Sequence, residues 1–157
     1  MVRICFVCLG NICRSPTAEG IMIDLVKKAK LETEVQIDSS GTSAYHVGEA
    51  ADQRSQATAN QRGIYLPSRA RKFVPEDFLT FDYVVAMDLS NYNHLLKLRT
   101  EDTQKVYLLR QFDPTSPAKA SVPDPYYGGP DGFDDVFEIC MRGCEGLLQE
   151  IKQQYDL

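Results

Sequence analysis

A thiol and a guanidinium lie near the start of the chain, Cys8 and Arg14, with five residues between them. Residues 2–8 are mostly β-formers, and Ser15-Pro16 predicts a helix start, because Ser suits the N-cap and Pro the first helical position. A loop between a strand and a helix N-terminus binds anions through its free N–H groups and the helix dipole. The same charge favours a thiolate at Cys8, and Arg14 can take two oxygens of a phosphate. This pattern predicts nucleophilic attack on a bound phosphoryl group, with no metal needed.

The spacing of the thiol and the guanidinium is a weak signal without its context, because five cysteines in 157 residues allow chance matches. The strand before the loop and the helix start after it supply that context. Glycine does not recur as in a dinucleotide-binding fingerprint, and no Gly-Lys-Ser/Thr follows, which disfavours nucleotide binding. A buried strand cysteine next to a surface arginine is the alternative interpretation.

A second chemical signal is Asp124, which is flanked by Pro123 and Pro125 and followed by Tyr126 and Tyr127. The prolines stiffen the chain, and the second one favours an extended conformation at the aspartate. We expect a carboxyl between prolines and aromatic rings to be partly desolvated, which favours its protonated form. Such a group suits protonation of the leaving oxygen of a phosphate ester. A plain Asp-Pro turn is the alternative.

The composition of the chain is that of one soluble globular domain, which we expect to span residues 1–157. A net charge of −5 argues against a nucleic-acid or anionic membrane surface. The N-terminal apolar run is too short for a signal peptide or a membrane span. Five cysteines at irregular spacing do not suggest a disulfide framework, so we expect a cytoplasmic protein.

Hydrophobic periodicity predicts alternating strands and helices. The predicted strands are 2–8, 35–39, 81–87 and 105–109, and the predicted helices are 17–30, 52–62 (closed by Gly63), 89–98 and 134–155. The last helix carries an apolar stripe made of Val136, Cys140, Cys144, Leu147 and Ile151. Residues 112–132 form the one long irregular segment, and loops of that length are often functional.

Both motifs together resemble the low-molecular-weight protein tyrosine phosphatases, and the resemblance runs along the whole chain. Segment 8–16 is similar to the phosphate-binding loop of that family, and segment 124–127 to its general-acid motif. Segments 38–43 and 86–88 resemble stretches that support the loop. The resemblance implies an α/β fold, a flavodoxin-like four-stranded parallel sheet with helices on both faces. It places the loop at the carboxyl end of a central strand, where open α/β sheets bind ligands.

The resemblance also implies a reaction, the hydrolysis of phosphotyrosine in proteins and of small aryl phosphates. Cys8 would attack phosphorus and form a phosphocysteine while Asp124 protonates the phenolic leaving group. Asp124 would then act as a base and activate water. Arg14 and the loop N–H groups would hold the phosphate oxygens. The phosphate-binding residues implied are Leu9, Gly10, Asn11, Ile12, Cys13, Arg14 and Ser15.

Further roles follow from the same resemblance. Ser15 would donate a hydrogen bond to the thiolate, which is compatible with its alternative role as a helix cap. We expect Asn11 at positive φ, which Asn tolerates, with Ser39 bracing it. Ser68 stands where many animal members have a histidine of the bracing network, which leaves that bracing open.

The substrate pocket implied by the resemblance is lined by Leu9, Tyr45, Tyr126 and Tyr127. Aromatic walls suit a phenyl ring and make a deep slot that a phosphoserine reaches poorly. For Tyr45, an ordinary exposed loop aromatic is the alternative. Phosphorylation of the tyrosine pair would add charge at the mouth of the site.

The cysteines divide into two groups. In the family that this chain resembles, the thiol at Cys13 can form a reversible disulfide with Cys8, and a small apolar loop residue is the compatible alternative. Cys5, Cys140 and Cys144 are expected in the core. A metal site from Cys5, Cys8 and Cys13 is disfavoured, since the first two lie on opposite faces of a strand.

Three other functions are less consistent with the residues. Arsenate reductases of the same fold need further redox cysteines, but none lies between Cys13 and Cys140. Related protein arginine phosphatases carry threonine where Ile12 stands, so this residue favours tyrosine. A phosphate-binding module without catalysis is the third. We expect phosphotyrosine-containing proteins as partners, no cofactor, no nucleic acid or membrane, and a monomer, with weak dimerisation as the alternative.

Overall fold

The computed structural model of the chain describes residues 1–129 and 131–157. Its strands are β1 (Val2–Cys8), β2 (Val35–Gly41), β3 (Tyr83–Ala86) and β4 (Val106–Leu108). They form one parallel sheet in the order β2-β1-β3-β4. The chain leaves β1 toward β2 on one side and returns to β3 on the other. The residues after β1 therefore lie where the strand order reverses, which is where such sheets bind ligands.

The helices are α1 (Arg14–Lys28), α2 (Gln53–Gln61), α3 (Asp77–Thr80), α4 (Leu89–Leu98) and α5 (Asp131–Gln154), and a 3-10 turn, Leu109–Phe112, follows β4 directly. No helix within residues 1–129 and 131–157 has the length and apolar character to cross a bilayer.

Side chains of β1 alternate between two apolar cores, one on each face of the sheet. Ile4 and Phe6 pack in the core that contains α1 and α5, whereas Cys5 and Val7 pack in the core that contains Leu95 of α4. Every residue of β1 except Arg3 is buried, as expected for a central parallel strand covered on both faces. The predicted four-stranded parallel sheet with helices on both faces is confirmed.

The predicted start of α1 is wrong. The helix begins at Arg14 rather than at residue 17, and Cys13 occupies the N-cap position without a side-chain cap. Ser15 therefore lies inside the first turn instead of capping it, and Pro16 is the third helical residue. The physical reason is the turn at Asn11, whose φ of 57° brings the chain into helical geometry earlier than a Ser-Pro start requires.

Other boundaries differ because pairing and packing extend or shorten the elements. β2 runs to Gly41 rather than 39, since it pairs with the whole length of β1, up to Cys8. α5 begins at residue 131 rather than 134, and its predicted apolar stripe is buried as expected. The short α3 and the 3-10 turn were not predicted. Pro130, which belongs to the predicted irregular segment, lies outside the described residues.

Candidate active site

The 8–15 loop runs from the last residue of β1 into the first turn of α1. Three of its carbonyls accept hydrogen bonds from backbone N–H groups outside the loop: Cys8 from Thr42, Leu9 from Ser43 and Ile12 from Asp52, at 2.9, 2.9 and 2.8 Å. A peptide unit carries its N–H opposite its carbonyl. With these carbonyls tied outward, the N–H groups that follow them turn toward the centre of the loop, as an anion site requires.

Glycine at position 41 permits the close approach of β2 to this loop. A Cβ at Gly41 would lie 2.7 Å from the carbonyl oxygen of Leu9. A larger residue would push the end of β2 away from the loop. Two of the three hydrogen bonds that turn the loop carbonyls outward come from Thr42 and Ser43, just after Gly41, so these two depend on this contact.

Cys8 is only 3% exposed, and its sulfur lies among hydrogen-bond donors. Its Sγ is 3.0 Å from the hydroxyl of Ser15 and accepts a hydrogen bond from the backbone N–H of Asn11 at 3.3 Å. The Asn11 amide donates to the same Ser15 oxygen at 2.8 Å. Because that oxygen already accepts a hydrogen bond, the Ser15 hydroxyl can donate its own proton toward the sulfur. The arrangement stabilises negative charge on sulfur.

Asn11 is held from both ends of its side chain. Its φ is 57°, as predicted, and its Nδ2 donates to the Ser39 hydroxyl at 2.9 Å. Its Oδ1 accepts the backbone N–H of Arg71 at 3.0 Å, which fixes which end of the amide donates. The Ser39 hydroxyl in turn donates to Glu19 at 2.6 Å and lies 3.4 Å from Ser68, so Ser68 takes part in this network.

Glu19 is a buried carboxyl behind the loop, with 4% of its surface exposed. Burial raises the pKa of Glu19, and the hydrogen bonds from Ser39 and Ser68 offset part of that effect. The network therefore ends on a carboxyl whose charge is disfavoured by its surroundings.

Arg14 is buried with its guanidinium anchored on one side. Its Nη1 donates to Asp88 at 2.6 Å and to the carbonyl of Val122 at 3.1 Å. Its Nη2 lies 3.6 Å from Asp124 Oδ2. Asp88 also caps α4 by accepting the backbone N–H of Asn91 at 2.7 Å. The guanidinium is thus fixed in orientation before any ligand arrives.

Asp124 lies at the mouth of the site. Its carboxylate accepts the backbone N–H of Tyr126 at 3.0 Å, and its side chain is 43% exposed. The rest of the side chain is covered, so the carboxyl is partly desolvated, as expected; Pro125 next to it is buried, and the carboxyl lies beside the Arg14 guanidinium. Solvent access lets this carboxyl exchange protons directly with water.

A cavity of about 500 Å³ joins these groups. It brings the catalytic residues predicted from sequence together with the predicted pocket residues, and it is lined by Cys8, Arg14, Asp124, Leu9, Tyr45, Tyr126 and Tyr127, among others. Tyr45 and Tyr127 are 89% and 93% exposed, so they stand at the rim, whereas the cysteine and the arginine are buried. The slot is therefore apolar at its walls and charged at its base.

Comparisons with known proteins agree with this geometry. Residues 3–157 match the family model of low molecular weight phosphotyrosine protein phosphatases. The chain belongs to that family. It is 43% identical over 157 residues to a low molecular weight protein-tyrosine-phosphatase of Streptomyces coelicolor, covering 98% of this chain and 96% of that protein.

Solved structures of the same architecture include phosphatases with different named substrates. A protein tyrosine phosphatase from Entamoeba histolytica, solved with Hepes in its active site, superposes with a TM-score of 0.93 at 40% identity, covering 99% of both chains. A Drosophila arginine phosphatase superposes with a TM-score of 0.86 at 34% identity, covering 95% of this chain and 97% of that one. Membership in the low molecular weight phosphatase family makes this chain an enzyme of the cysteine-dependent phosphatase class.

Within this phosphatase, the structure separates the predicted loop residues into two sets. Those that line the cavity are Leu9, Gly10, Ile12, Cys13 and Arg14. Asn11 and Ser15 are buried and make hydrogen bonds with the Cys8 sulfur, and the Asn11 amide donates to Ser39; the supporting roles of all three stay predictions. The assignments of catalytic and phosphate-binding roles stay predictions.

The sequence analysis did not predict several residues that take part in the site. Glu19 and Arg54 carry polar side chains on helices, which usually indicates an ordinary solvated surface, and Arg71 contributes only its backbone N–H. His46, which had no predicted role, lines the cavity and lies 2.7 Å from Glu49. Asp88 had been singled out only within the 86–88 segment. No periodicity marks any of them, since their roles arise from contacts between distant segments.

The cysteines are all free. Cys5, Cys140 and Cys144 are fully buried, as predicted, and burial raises the pKa of Cys140 to about 12. Cys13 is 5% exposed. Its burial, and to a smaller extent the nearby negative charge of Asp52, raise the pKa of its thiol to about 12. Among residues 1–129 and 131–157 no group of three or more His, Cys, Asp or Glu side chains is arranged to hold a metal ion.

Proposed function

We propose that the protein hydrolyses phosphotyrosine in proteins, and small aryl phosphates, through a phosphocysteine on Cys8. One observation carries the proposal: the buried cysteine at the end of β1 shares a cavity with an arginine of the same loop and with an aspartate from a distant part of the chain. A thiolate, a fixed guanidinium and a carboxyl close to each other are the groups that phosphoryl transfer to sulfur needs.

The first step is attack of the Cys8 thiolate on phosphorus, with departure of the phenolic oxygen on the opposite side. Asp124, in its protonated form, gives its proton to that oxygen as the P–O bond breaks. Arg14 and the inward-facing loop N–H groups hold the three remaining phosphate oxygens and the charge that develops on them. The products of this half-reaction are the free phenol and the phosphocysteine.

The second step is hydrolysis of the phosphocysteine. Asp124, now a carboxylate, takes a proton from a water molecule that attacks phosphorus, and the sulfur leaves as thiolate. The hydrogen bonds to Cys8 from Ser15 and from the Asn11 N–H stabilise that leaving thiolate. Inorganic phosphate and the original protonation state of the enzyme result, so the cycle closes without a cofactor.

The aromatic rim supports a preference for an aryl phosphate. Tyr45, Tyr126 and Tyr127 offer flat faces around the cavity entrance, while the phosphate-binding base is buried. A phenyl ring is long enough to place its phosphate at the base and still contact the rim. A phosphoserine is shorter, and its backbone would meet the rim first.

The decisive experiment is hydrolysis of p-nitrophenyl phosphate by reduced protein, with Cys8→Ser as the paired variant and with a chelator present. We expect turnover by the wild type, none above background by the variant, and no effect of the chelator. The absence of turnover by a well-folded, reduced wild type would leave a phosphate-binding module, and arsenate reduction would be assayed next.

The substrate is tested with matched peptides that carry phosphotyrosine, phosphoserine or phosphoarginine. We expect phosphotyrosine to have the highest kcat/KM. Hydrolysis of phosphoarginine at a comparable kcat/KM would overturn the preference drawn from Ile12, which lines the cavity. The phosphoarginine peptide is included because one of the similar solved structures is an arginine phosphatase.

We further propose that Cys13 protects Cys8 during oxidation. Hydrogen peroxide would convert the thiolate to a sulfenic acid, and the Cys13 thiol would displace water to form a disulfide. Both side chains line the same cavity, which supports the pairing. Intact mass after peroxide treatment should fall by the two hydrogens lost, and Cys13→Ser should instead gain oxygen irreversibly.

We propose that residues 1–157 act as one domain, in the cytoplasm, on phosphoprotein substrates. Five free cysteines support a reducing compartment, since none is paired with another in the described part of the chain. Light scattering across a range of protein concentrations tests the expected monomer.

A further inference from the structure

Arg54 joins two segments of the active site that are far apart in the chain. Its Nη1 donates a hydrogen bond to the carbonyl oxygen of Tyr126 at 3.2 Å, and its guanidinium lies over the Tyr126 ring at 5.2 Å from the centroid. The backbone N–H of the same tyrosine donates to Asp124 Oδ1 at 3.0 Å. The arginine therefore holds the residue that holds the Asp124 carboxyl.

Arg54 is itself fixed relative to the 8–15 loop. Asp52 accepts from its Nε at 3.1 Å and from its Nη2 at 3.0 Å, a two-point contact that sets the plane of the guanidinium. The backbone N–H of Asp52 donates to the carbonyl of Ile12 at 2.8 Å. The loop, α2 and the 124–126 segment are thus connected in series through one arginine.

An apolar cluster also packs against both Arg54 and Tyr126. The guanidinium of Arg54 lies 4.6 Å from the centre of the Phe133 ring. Phe133 is buried with Ile12 and Cys13 of the loop, and Tyr126 packs against this cluster. Arg54 covers the cluster from the solvent side, and its own side chain is 49% exposed.

We propose that Arg54 is a positioning residue for the proton donor, because it fixes the 124–126 segment, and with it the Asp124 carboxyl, relative to the 8–15 loop. This inference rests on the proposed function, since it requires Asp124 to protonate the leaving group. Arg54 touches neither Cys8 nor the phosphate site in this arrangement. It acts through Tyr126.

The need for such an anchor follows from the setting of Asp124. The carboxyl is exposed, it follows a long irregular segment, and its nearest cation, Arg14 Nη2, is 3.6 Å away. A general acid must come within hydrogen-bond reach of the leaving oxygen. Without Arg54 the segment loses a hydrogen bond and a ring contact, and a displacement of about 1 Å in such a group can cost about 100-fold in rate.

A second arginine near α2 serves as a matched control. Arg62 lies over the Phe137 ring of α5 at 4.7 Å, and it makes ion pairs with Asp134 and Glu138 at 3.0 and 3.5 Å. Like Arg54, it combines carboxylate contacts with a contact to an aromatic ring of α5, but its side chain contacts α5 and not the 124–126 segment. Arg62→Met tests the loss of an arginine with such contacts outside the 124–126 segment.

The experiment compares kcat/KM for phenyl phosphate, which has a poor leaving group, and p-nitrophenyl phosphate, which has a good one. Arg54→Met should lower kcat/KM for phenyl phosphate by about tenfold or more, and for p-nitrophenyl phosphate by no more than about threefold, because only the poor leaving group needs full protonation. Arg54→Lys should show the same selectivity, since an ammonium cannot contact Asp52 and Tyr126 in the fork geometry. Arg62→Met should change both values equally and slightly.

Asp124→Asn separates failure of this inference from failure of the proposed function. The variant should show a steep dependence on the leaving group, and adding Arg54→Met to it should cost little more, because both act through one proton transfer. A flat dependence in Asp124→Asn would mean that this aspartate is not the donor. A steep dependence in Asp124→Asn, together with an equal loss for both substrates in Arg54→Met, would overturn the positioning role alone.

Discussion

The direction of the hydrogen bonds around Cys8 is set by a backbone N–H that lies far from Cys8 in the sequence, that of Arg71. The Arg71 N–H donates to the Asn11 side-chain oxygen, so the amide nitrogen must face Ser15 and Ser39. Ser15 then accepts from Asn11 and has its own proton free for the sulfur, at 3.0 Å. The Ser15 hydroxyl also lies 3.4 Å from the carbonyl oxygen of Ser40, so the Cys8 sulfur is the nearer of two acceptors for its proton.

Replacement of Ser15 tests this at the residue scale. Ser15→Ala should lower kcat by about 10- to 100-fold, because one preorganised donor to the leaving thiolate is lost. Breakdown of the phosphocysteine should be slowed more than its formation, so rapid mixing with p-nitrophenyl phosphate should show a burst of nitrophenol followed by slow turnover.

Ser40→Ala is the matched control for that substitution. Ser40 is equally buried, but its hydroxyl lies 3.3 Å from the sulfur of Cys5 rather than Cys8. It should lose little activity and show no burst. An equal loss of kcat in both variants would point to a general effect on packing and against the donor role of Ser15.

At the scale of elements, α5 packs against the 3-10 turn at a distance that only glycine allows. A Cβ at Gly146 would stand 1.8 Å from the carbonyl oxygen of Phe112, and a Cβ at Gly143 would stand 2.6 Å from the Leu109 side chain. The turn therefore lies directly on the helix backbone. This contact fixes where the irregular segment that leads to Asp124 begins.

Gly146→Ala should consequently destabilise the protein. In an ordinary helix interior this change stabilises by roughly 0.5–1 kcal/mol, whereas here the clash with a backbone carbonyl should cost about 1–3 kcal/mol. Urea unfolding followed by circular dichroism measures the difference. Gly129→Ala, where a Cβ would meet nothing within 4 Å, should leave the unfolding midpoint unchanged. A more stable Gly146→Ala protein would contradict the close packing.

At the scale of the whole molecule, two buried carboxyls respond to pH in opposite directions. Burial by itself would raise the pKa of Asp113, but hydrogen bonds from Thr115 and Arg142 outweigh it and hold the pKa below the ordinary 3.8. Burial raises the pKa of Glu19 above the ordinary 4.5. Asp113 fastens the irregular segment to α5 through Arg142 Nε at 3.1 Å, whereas Glu19 lies behind the 8–15 loop.

Asp113→Asn should therefore destabilise the protein most at neutral pH. The folded state holds this carboxylate ionised at a lower pH than the unfolded chain does, so its contribution is present above the unfolded pKa and is lost as pH falls through the folded pKa. At pH 7 the loss should be about 1–3 kcal/mol, from the hydrogen bonds broken. Unfolding free energies of both proteins from pH 7 downward measure it.

For Glu19→Gln we expect the opposite pH dependence of stability from that of Asp113→Asn. A raised folded pKa means that the contribution of Glu19 is fully present below the unfolded pKa and is lost as pH rises through the folded pKa. The stability of the wild type relative to Glu19→Gln should fall as pH rises above about 4.5, toward neutrality. The same slope in both variants would contradict the opposite environments of the two carboxyls.

The sequence by itself determined the sheet, the loop and the two motifs. A run of apolar residues through β1 and β3, and the spacing of Cys8, Arg14 and Asp124, are local features that the chain displays without folding. The positive φ at Asn11 was predicted from the family resemblance, and Asn is a residue that tolerates it. The predicted Ser15 cap is wrong because the helix already begins at Arg14, which places Ser15 inside the first turn.

Only the tertiary structure decided which polar residues serve the site. Glu19 and Arg54 are separated in sequence from the atoms that they hold, and nothing in their own neighbourhoods distinguishes them from surface charges. The prolines next to Asp124 in the sequence also do not determine how exposed its side chain is, because burial depends on which segments of the folded chain pack around a residue. Contacts between distant segments carry no periodicity, and so they appear only once the chain has folded.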